Sequence, residues 1–432
     1  MTNAFQWRGL ARGAIALLAA AAVTSCGDDS ADILEPGAGG SMFASYVALG
    51  NSITAGLQSG GINDSTQRES YAYLLAQQAG AQFVYPSLLE PGCPPPISIF
   101  LDTLSTVGGA TAPRCSFRTP AEVLTPLNSV AVPTAFAWDL TRQDTPTGTP
   151  NPLQTFVLGG LSQLRRALEA RPTFVSVWIG NNDVLAAAST GVLFPVAGAS
   201  PGLIPADTIT KYIGAAVDTL VAAPTLQGGV LVGIVDTPNA PRFFPGNALL
   251  TATGEKTALT TQIETAVGKP VTVLPNCIGS AALVSSIIVE RIKWYPAANG
   301  YPPIISCAPA TIPGVPEQAL LGNLFILSPE EQAAISGTVA AVNAFLASKA
   351  ESVGFAYYDP NTGLAALKTA GLIPAVPNFT SATAPFGALI SLDGVHPRLG
   401  AHVAVANALI GVINSEYSLS IPTISTSPPS AQ

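Results

Sequence analysis

Charged residues are scarce in this chain of 432 residues: they make up 10% of it, and the formal net charge is −8. Lysine and arginine nowhere gather into a long run or cluster. Because nucleic-acid binding needs such clusters to neutralise phosphates, the composition argues against that class of partner. Apolar residues make up 48% of the chain, which argues against disorder except at the ends. The length suits one large α/β domain with insertions, or two modest domains.

Histidine is scarcer still, since the chain has only His396 and His402. A general base that works near neutral pH is most often a histidine, so these two residues are the leading candidates for that role. His402 lies inside a helical pattern, whereas His396 lies in a turn-rich segment at residues 392–400. With so few histidines and no Cys-x-x-Cys spacing, we expect no metal and no cofactor.

The first 26 residues have the pattern of an export signal. Arg8 and Arg12 precede a short apolar run, and Val23-Thr24-Ser25-Cys26 follows it. The run is too short to span a bilayer, and its ending resembles the lipobox of bacterial lipoproteins, in which the cysteine is lipidated. We predict a lipoprotein signal peptide at residues 1–25, a lipid on Cys26 and a flexible tether at 26–42. We expect the exported protein to be anchored to the bacterial cell envelope, at the outer membrane. The alternative is an ordinary secretory signal with an incidental cysteine.

Four cysteines remain if Cys26 carries lipid, and an oxidising compartment favours disulfides among them. Of the three connectivities we favour the local pairs Cys93–Cys115 and Cys277–Cys307. Each would close a Pro-rich loop of roughly 20–30 residues and contribute about 3 kcal/mol. A zinc site is the disfavoured alternative. The pairs fall in two stretches, 86–127 and 240–327, which we predict to be insertions over the carboxyl edge of a sheet.

Short apolar strands alternate with helical patterns through the rest of the chain. Such alternation is typical of a mostly parallel sheet covered by helices on both faces. We predict an α/β fold over residues 43–418, a three-layer α/β/α sandwich with a flavodoxin-like sheet of five strands, and a mobile tail at 419–432. The predicted strands lie at 45–50, 129–133, 174–180, 229–236 and 354–359, and the predicted helices at 69–80, 153–170, 208–223, 328–351 and 400–415. The apolar stretch at 281–296 could be a lid, a substrate wall or a second small core.

Ser52 follows the first predicted strand, in the sequence VALGNSITAG at 47–56. In open parallel sheets the working residues collect at the carboxyl ends of the strands. The start of a helix there would also offer N–H groups to a developing negative charge. The alternative interpretation is a serine that caps the helix N-terminus.

Two further segments carry polar residues suited to the same chemistry. Asn181 and Asn182 follow the strand at 174–180, and an amide donor at this position could hold an oxyanion, although an Asx-turn is the alternative. Asp393 precedes His396 by three residues, a spacing that lets a carboxylate orient an imidazole across a turn. Taken alone, an Asp-x-x-His pattern is more often a surface turn.

Together the segments GNSIT, GNND and DGVHP resemble, in order and position, the motifs of the SGNH (GDSL-like) hydrolase family. The similarity extends from about residue 43 to 416. It implies that Ser52 is the nucleophile, His396 the base, Asp393 the residue that orients it, and Asn182 an oxyanion-hole donor.

The resemblance also contains two departures. The segment at 128–140 resembles the family's second motif, whose glycine N–H faces the oxyanion, but Thr134 stands at the glycine position. Its backbone N–H could still serve, if the φ angle and clearance allow. In the first motif Asn51 replaces the aspartate, and an asparagine can still hydrogen-bond locally and accommodate the turn.

By this resemblance the expected function is a serine esterase or lipase that cleaves carboxylic ester bonds, with an oxyanion hole formed by Ser52, Asn182 and Thr134. The alternatives are an acyltransferase with the same triad, or a non-catalytic surface lipoprotein that binds a glycan or protein. The expected partners are an ester substrate (a small molecule, lipid or acylated glycan) and the membrane through Cys26. A monomer is expected.

Overall fold

The computed structural model describes most of the chain from residue 37 onward. The predicted signal peptide, Cys26 and the first part of the tether lie outside the described residues, as does the end of the tail. The described ranges are 37–109, 113–118, 126–142, 152–196, 200–294, 303–309, 313 and 325–425.

Helices and strands are numbered in chain order. The helices are α1 (Ser52–Ala55), α2 (Asp64–Arg68), α3 (Tyr71–Ala79), α4 (Pro152–Leu158), α5 (Gln163–Glu169), α6 (Asn181–Thr190), α7 (Ala206–Val221), α8 (Ala258–Val267), α9 (Ile287–Trp294), α10 (Pro329–Val353), α11 (Pro360–Thr369) and α12 (Leu399–Tyr417). The strands are β1 (Tyr46–Gly50), β2 (Ile97–Ile99), β3 (Asp102–Thr106), β4 (Phe174–Trp178), β5 (Gly228–Val232), β6 (Phe243–Pro245), β7 (Thr272–Val273), β8 (Leu283–Ser285), β9 (Ile304–Ile305), β10 (Ile326–Leu327) and β11 (Ala356–Tyr358).

The central sheet is parallel, with the strand order β1-β4-β5-β11. This confirms the predicted parallel sheet, but with four regular strands instead of five. Residues 128–132 run along the free edge of β1, where the Val130 N–H donates to Ala48 O and the Val132 N–H to Gly50 O. This segment forms one isolated bridge and then turns away at Pro133, so it is too short to be a regular strand. Counted as the second strand, it completes the flavodoxin-like order 2-1-3-4-5.

Strands β1, β4 and β5 are buried on both faces, and their successive side chains point to opposite layers. Val47, Leu49 and Val177 belong to one apolar cluster, which includes buried residues of α7 and α10. Tyr46 and Phe174 belong to a second cluster, with buried residues of α3 and α12. The sheet is therefore the middle layer of a three-layer sandwich. The long helix α10 is apolar enough to cross a bilayer by length and composition, but here it packs within this sandwich.

One predicted helix is broken in two. The pattern at 153–170 becomes α4 and α5, which are separated at Gly159 and Gly160. Both glycines have positive φ angles, 63° and 80°, which an α-helix cannot accommodate.

The second insertion packs in a separate apolar cluster, which it shares with Phe100 of the first insertion and with Phe386 and Leu392 of the segment before α12. Ile288 and Ile292 of α9 pack in one apolar cluster with Phe244 of β6 and Ile305 of β9. The apolar stretch at 281–296 is therefore part of a second small core, which was one of the three interpretations of this stretch.

Both predicted disulfides are present, with Cα–Cα distances of 4.8 Å for Cys93–Cys115 and 5.0 Å for Cys277–Cys307. The first lies in the insertion that also contains the β2–β3 hairpin.

The ends of the described chain pack more closely than the sequence predicted. The Gly39 N–H donates to Ala79 O at the end of α3, so the last residues of the predicted tether lie against the domain. At the other end, Ile421 is buried, and Asn407 of α12 exchanges hydrogen bonds with the backbone of Ile424. Residues 419–425 of the predicted mobile tail are thus held on α12. The polar composition of this segment predicted mobility, but the buried side chain of Ile421 anchors it.

Candidate active site

Ser52 is the first residue of α1 and follows β1 after a single turn residue. The N-cap of α1 is Asn51, whose side chain accepts a hydrogen bond from the Ile53 N–H at 3.2 Å. Asn51, which stands where the family's first motif has an aspartate, therefore still makes a local hydrogen bond that caps the helix. The hydroxyl of Ser52 is not the cap, so it is left for other contacts.

The turn before Ser52 is held by hydrogen bonds from Gln163, a residue that the sequence analysis did not identify. Gln163 of α5 is fully buried; its Oε1 accepts from the Gly50 N–H and its Nε2 donates to Gly50 O, both at 2.9 Å. A Cβ at Gly50 would overlap Thr54 and the carbonyl of Trp178, so a glycine is needed there. The end of β1 is thus held by two side-chain hydrogen bonds and close packing.

Three of the predicted residues form one chain of hydrogen bonds. His396 Nε2 lies 2.8 Å from Ser52 Oγ, and His396 Nδ1 lies 2.9 Å from Asp393 Oδ2. Ser52 and His396 are 344 residues apart in sequence, and the sheet edge and the turn before α12 bring them together. With the Nδ1–H tautomer, which Asp393 favours, Nε2 is free to accept the serine proton.

Asp393 is held from several sides. Its Oδ1 accepts hydrogen bonds from the N–H groups of Val395 and His396, and its Oδ2 accepts one from Gly60. Burial by itself raises the pKa of Asp393, but the charge and hydrogen bonds of His396 and the positive charge of Arg242 outweigh it and hold the pKa below its usual range. The carboxylate therefore stays ionised and able to stabilise a positive charge on His396.

Asn182, in the first turn of α6, contacts the loop that follows residues 128–132 at the edge of the sheet. Asn182 Nδ2 donates to Ala135 O at 2.8 Å, which leaves its second amide hydrogen for another acceptor. Thr134 precedes Ala135 and has φ of 65°, in the left-handed region where glycine is favoured and a β-branched residue is strained. The Asn182–Ala135 hydrogen bond thus ties the two predicted oxyanion donors together.

Asp183 of α6 hydrogen-bonds the backbone of this loop at Ala137. It is fully buried, and its Oδ2 accepts from the Ala137 N–H at 3.0 Å. Burial, reinforced by the charge of nearby Asp139, raises the pKa of Asp183 to about 8. At neutral pH Asp183 is therefore mostly a neutral acid in the core.

His402 is not part of the hydrogen-bonded chain. It is fully buried on α12, and its Nδ1 accepts the backbone N–H of Tyr71 at the start of α3, at 3.2 Å. Burial, aided by the charge of His396, lowers the pKa of His402 to about 3. Of the two histidine candidates, His402 is thus a neutral core residue.

Arg242 and Gln163 are supporting residues that the sequence did not reveal. Both act on backbone atoms far away in sequence, and no local motif marks such contacts. Asp183 is the last residue of the GNND motif, but the sequence did not predict that it is buried. Among the residues that the structure describes, no group of three or more histidine, cysteine or acidic side chains is placed to hold a metal ion.

No family model matches the chain, and no curated protein does either. Solved structures similar to it include one described as a GDSL-like lipase from Parabacteroides merdae (13% identity, 85% of this chain, 95% of that chain, TM-score 0.33). An extracellular lipase from Streptomyces rimosus has 16% identity over 86% of this chain and 98% of that one, with a TM-score of 0.32. Phospholipase A1 from Streptomyces albidoflavus has 15% identity over 86% and 98%, with a TM-score of 0.29. The chain is similar to these proteins along most of its length but distant from each of them.

Proposed function

We propose that this protein is a serine hydrolase that cleaves carboxylic ester bonds. The observation that carries the proposal is the hydrogen-bonded chain from Ser52 Oγ through His396 to Asp393 Oδ2, with links of 2.8 and 2.9 Å. Serine, an imidazole and a carboxylate in this order are the constellation that generates a nucleophilic alkoxide at neutral pH.

In the proposed reaction, His396 Nε2 takes the proton of Ser52 as Oγ attacks the ester carbonyl carbon. Asp393 stays ionised and stabilises the imidazolium. The tetrahedral intermediate collapses, the C–O bond to the alcohol breaks, and His396 returns the proton to the departing alcohol. Water, deprotonated by His396, then attacks the acyl-enzyme and releases the acid and free Ser52.

The oxyanion of each intermediate would be held by three N–H donors. These are the backbone N–H of Ser52, the second amide hydrogen of Asn182, and the backbone N–H of Thr134. The first turn of a helix leaves its N–H groups without intrahelical acceptors, which suits the Ser52 donor. Loss of one such donor typically costs about 3 kcal/mol of transition-state stabilisation.

The decisive test replaces Ser52 with alanine and measures hydrolysis of p-nitrophenyl acetate. Loss of at least about 10³-fold in kcat is expected, with an unchanged circular dichroism spectrum. A fluorophosphonate probe should label the wild-type chain but neither Ser52→Ala nor His396→Gln. Hydrolysis near the wild-type rate in Ser52→Ala would refute the proposal. Transfer of the acyl group to an added alcohol, scored by product analysis, would reveal the acyltransferase alternative.

We also propose that the chain is exported and lipidated at Cys26, on the strength of the lipobox-like sequence at 23–26. Ten residues, 27–36, separate Cys26 from the first described residue, and they reach at most about 36 Å. The domain would then stay close to the membrane surface. An alkyne-palmitate label that is present in the wild type and absent in Cys26→Ser would support this; equal labelling would contradict it.

A further inference from the structure

A tight turn at residues 58–61, the Ser59 turn, lies against the segment that contains Asp393. The backbones of its first and last residues exchange two hydrogen bonds, each of 2.9 Å. Its two central residues, Ser59 and Gly60, have φ angles of 51° and 71°, and two positive angles in succession are typical of a type I′ turn. We propose that this turn positions the carboxylate of Asp393, an inference that rests on the proposed function of Ser52.

The Ser59 turn makes two hydrogen bonds to the segment around Asp393. The Gly60 N–H donates to Asp393 Oδ2 at 3.1 Å, and the same oxygen lies 2.9 Å from His396 Nδ1. Ser59 Oγ accepts the backbone N–H of Leu392 at 3.2 Å, and Ser59 is only 6% exposed. One hydrogen bond therefore holds the carboxylate, and the other holds the main chain directly before it.

The same stretch of chain is also bonded to the proposed nucleophile. The N–H groups of Gly56 and Leu57 both donate to the backbone carbonyl oxygen of Ser52, at 3.0 and 2.9 Å. The Ser59 turn follows directly after Leu57. The segment 52–60 is thus hydrogen-bonded to Ser52 at one end and to Asp393 at the other, so it sets the position of one relative to the other.

The first insertion fixes the Ser59 turn within the fold. The Ile97 N–H donates to the carbonyl oxygen of Ser59 at 3.1 Å. A Cβ on Gly61 would overlap the backbone of Pro95 and Pro96, so the turn and the insertion are in direct backbone contact. Groups that must hold a reactive side chain in place need such support from their own neighbours.

The conformation of Ser59 indicates that its side chain has a role. Glycine adopts a positive φ angle without strain, whereas any residue with a Cβ is strained there. A residue retained in a strained conformation is a reason to look for a function. The hydrogen bond from the Leu392 N–H to Ser59 Oγ is such a function. If only the shape of the turn mattered, glycine at position 59 would serve at least as well as serine.

The first experiment compares Ser59→Gly with Ser418→Gly in steady-state hydrolysis of p-nitrophenyl acetate. Ser418 is the matched control, because it has a φ angle of 53° but is an exposed residue at the C-terminal end of α12. Glycine therefore relieves the same strain in both variants and removes the contact with Leu392 in one. For Ser59→Gly we expect kcat to fall roughly 5- to 50-fold with KM changed less than about 3-fold, since a displaced Asp393 misaligns His396.

Two further results complete this experiment. Ser59→Ala, which also lacks Oγ but keeps the strained backbone, should lose kcat to a similar extent, and Ser418→Gly should keep the wild-type kcat. Circular dichroism and urea titration report how much of each variant is folded, and kcat is expressed per folded molecule. Wild-type kcat in Ser59→Gly, an equal fall in Ser418→Gly, or an effect on KM alone would overturn the proposal.

A second experiment does not depend on hydrolysis, so it separates this inference from the proposed function. The chain has only two histidines, so untagged protein with isotopically labelled imidazole rings gives NMR signals from His396 and His402 alone. The His396→Gln variant assigns them. A proton held between an imidazole and a carboxylate is strongly deshielded, so the His396 Nδ1–H signal reports directly on the contact with Asp393. In Ser59→Gly we expect this signal to move upfield and to exchange faster with water, whereas Ser418→Gly leaves it in place.

The outcomes of the NMR experiment distinguish the two proposals. A change of the Nδ1–H signal in Ser59→Gly but not in Ser418→Gly supports the positioning role, even if Ser52 proves not to be the nucleophile. A signal that is the same in wild type and Ser59→Gly, or is absent from the wild type, counts against the positioning role even if Ser52-dependent hydrolysis of the acetate is found.

Discussion

The guanidinium of Arg242 donates two hydrogen bonds to the backbone carbonyl oxygen of Asp393, from Nε at 2.9 Å and from Nη2 at 2.7 Å. The forked contact holds the main chain of the residue whose carboxylate contacts His396. Burial lowers the pKa of Arg242, while Asp393 and Glu290 counteract the shift. Arg242 is therefore a positioning residue for the proposed triad.

Replacing Arg242 with methionine should lower kcat roughly 10- to 100-fold with KM changed less than about 3-fold, because a displacement of Asp393 misaligns His396 while the ester pocket stays intact. Steady-state hydrolysis of p-nitrophenyl esters measures this. Arg242→Met also takes from the half-buried Glu290 one of its two neighbouring positive charges, the other being Arg291, so Arg242→Met/Glu290→Gln is the control for stability. If the double variant regains both stability and full kcat, Arg242 has no positioning role.

Thr134 offers a test of backbone strain at the proposed oxyanion hole. A threonine at φ of 65° is strained by about 1–2 kcal/mol, and glycine, despite its greater entropy in the unfolded chain, relieves that strain. We expect Thr134→Gly to raise the free energy of unfolding by up to about 1 kcal/mol in urea titrations and to retain hydrolysis. Thr134→Ser serves as the control that keeps the hydroxyl. Loss of more than about 10-fold in kcat for Thr134→Gly alone would mean that the threonine side chain, and not only its N–H, takes part.

Asp183 should make stability depend on pH. Its pKa is about 8 in the folded protein, whereas an unfolded aspartate has a pKa of about 3.9. Between these values the folded state binds one more proton than the unfolded state, so the free energy of unfolding falls as pH rises from about 4 to 8. Asp183→Asn removes the titrating group and with it this pH dependence, and we expect the variant to be more stable than wild type at pH 9 by at least about 1 kcal/mol.

Thermal or urea unfolding across that pH range measures the effect of Asp183→Asn. Asp218→Asn is the matched control, since Asp218 is an exposed partner of Lys349 and such pairs contribute little. Equal slopes of stability against pH in wild type and Asp183→Asn would contradict the buried neutral acid.

Substitutions of His402 and His396 should have different effects, the first on stability and the second on hydrolysis. His402→Phe removes the acceptor of the Tyr71 N–H, so we expect a loss of about 1–3 kcal/mol in stability but hydrolysis within a few-fold per folded molecule. His396→Gln should instead lose at least about 10³-fold in kcat.

The pH dependence of stability provides a second readout for His402. Its pKa of about 3 in the folded state lies below the unfolded value of about 6.5, so wild type loses stability as pH falls through that window. His402→Phe should lose less over the same range. A His402→Phe variant that is stable but inactive would contradict the assignment of His402 to the core.

Much of the architecture followed from local patterns. Continuous apolar runs such as the one at 174–178 predicted buried parallel strands, and their alternation with helices predicted the layers. Errors arose where single residues broke a pattern: Gly159 and Gly160 split a helix, and Pro133 ended an edge segment before it became a strand. Ile421 is the converse case, since one buried side chain holds a segment whose neighbours are polar.

The sequence by itself determined the residue types and the order of the site. A serine after a strand, an amide after another and an Asp-x-x-His turn were weak signals one by one, and their joint resemblance to the SGNH (GDSL-like) motifs was what predicted roles for Ser52, Asn182, Asp393 and His396. Only the tertiary structure decided that His396 lies within hydrogen-bonding distance of Ser52, and that Gln163 and Arg242 hold the backbone around the site. The physical reason is that these contacts join atoms far apart in sequence, and burial and distance exist only once the sheet has assembled.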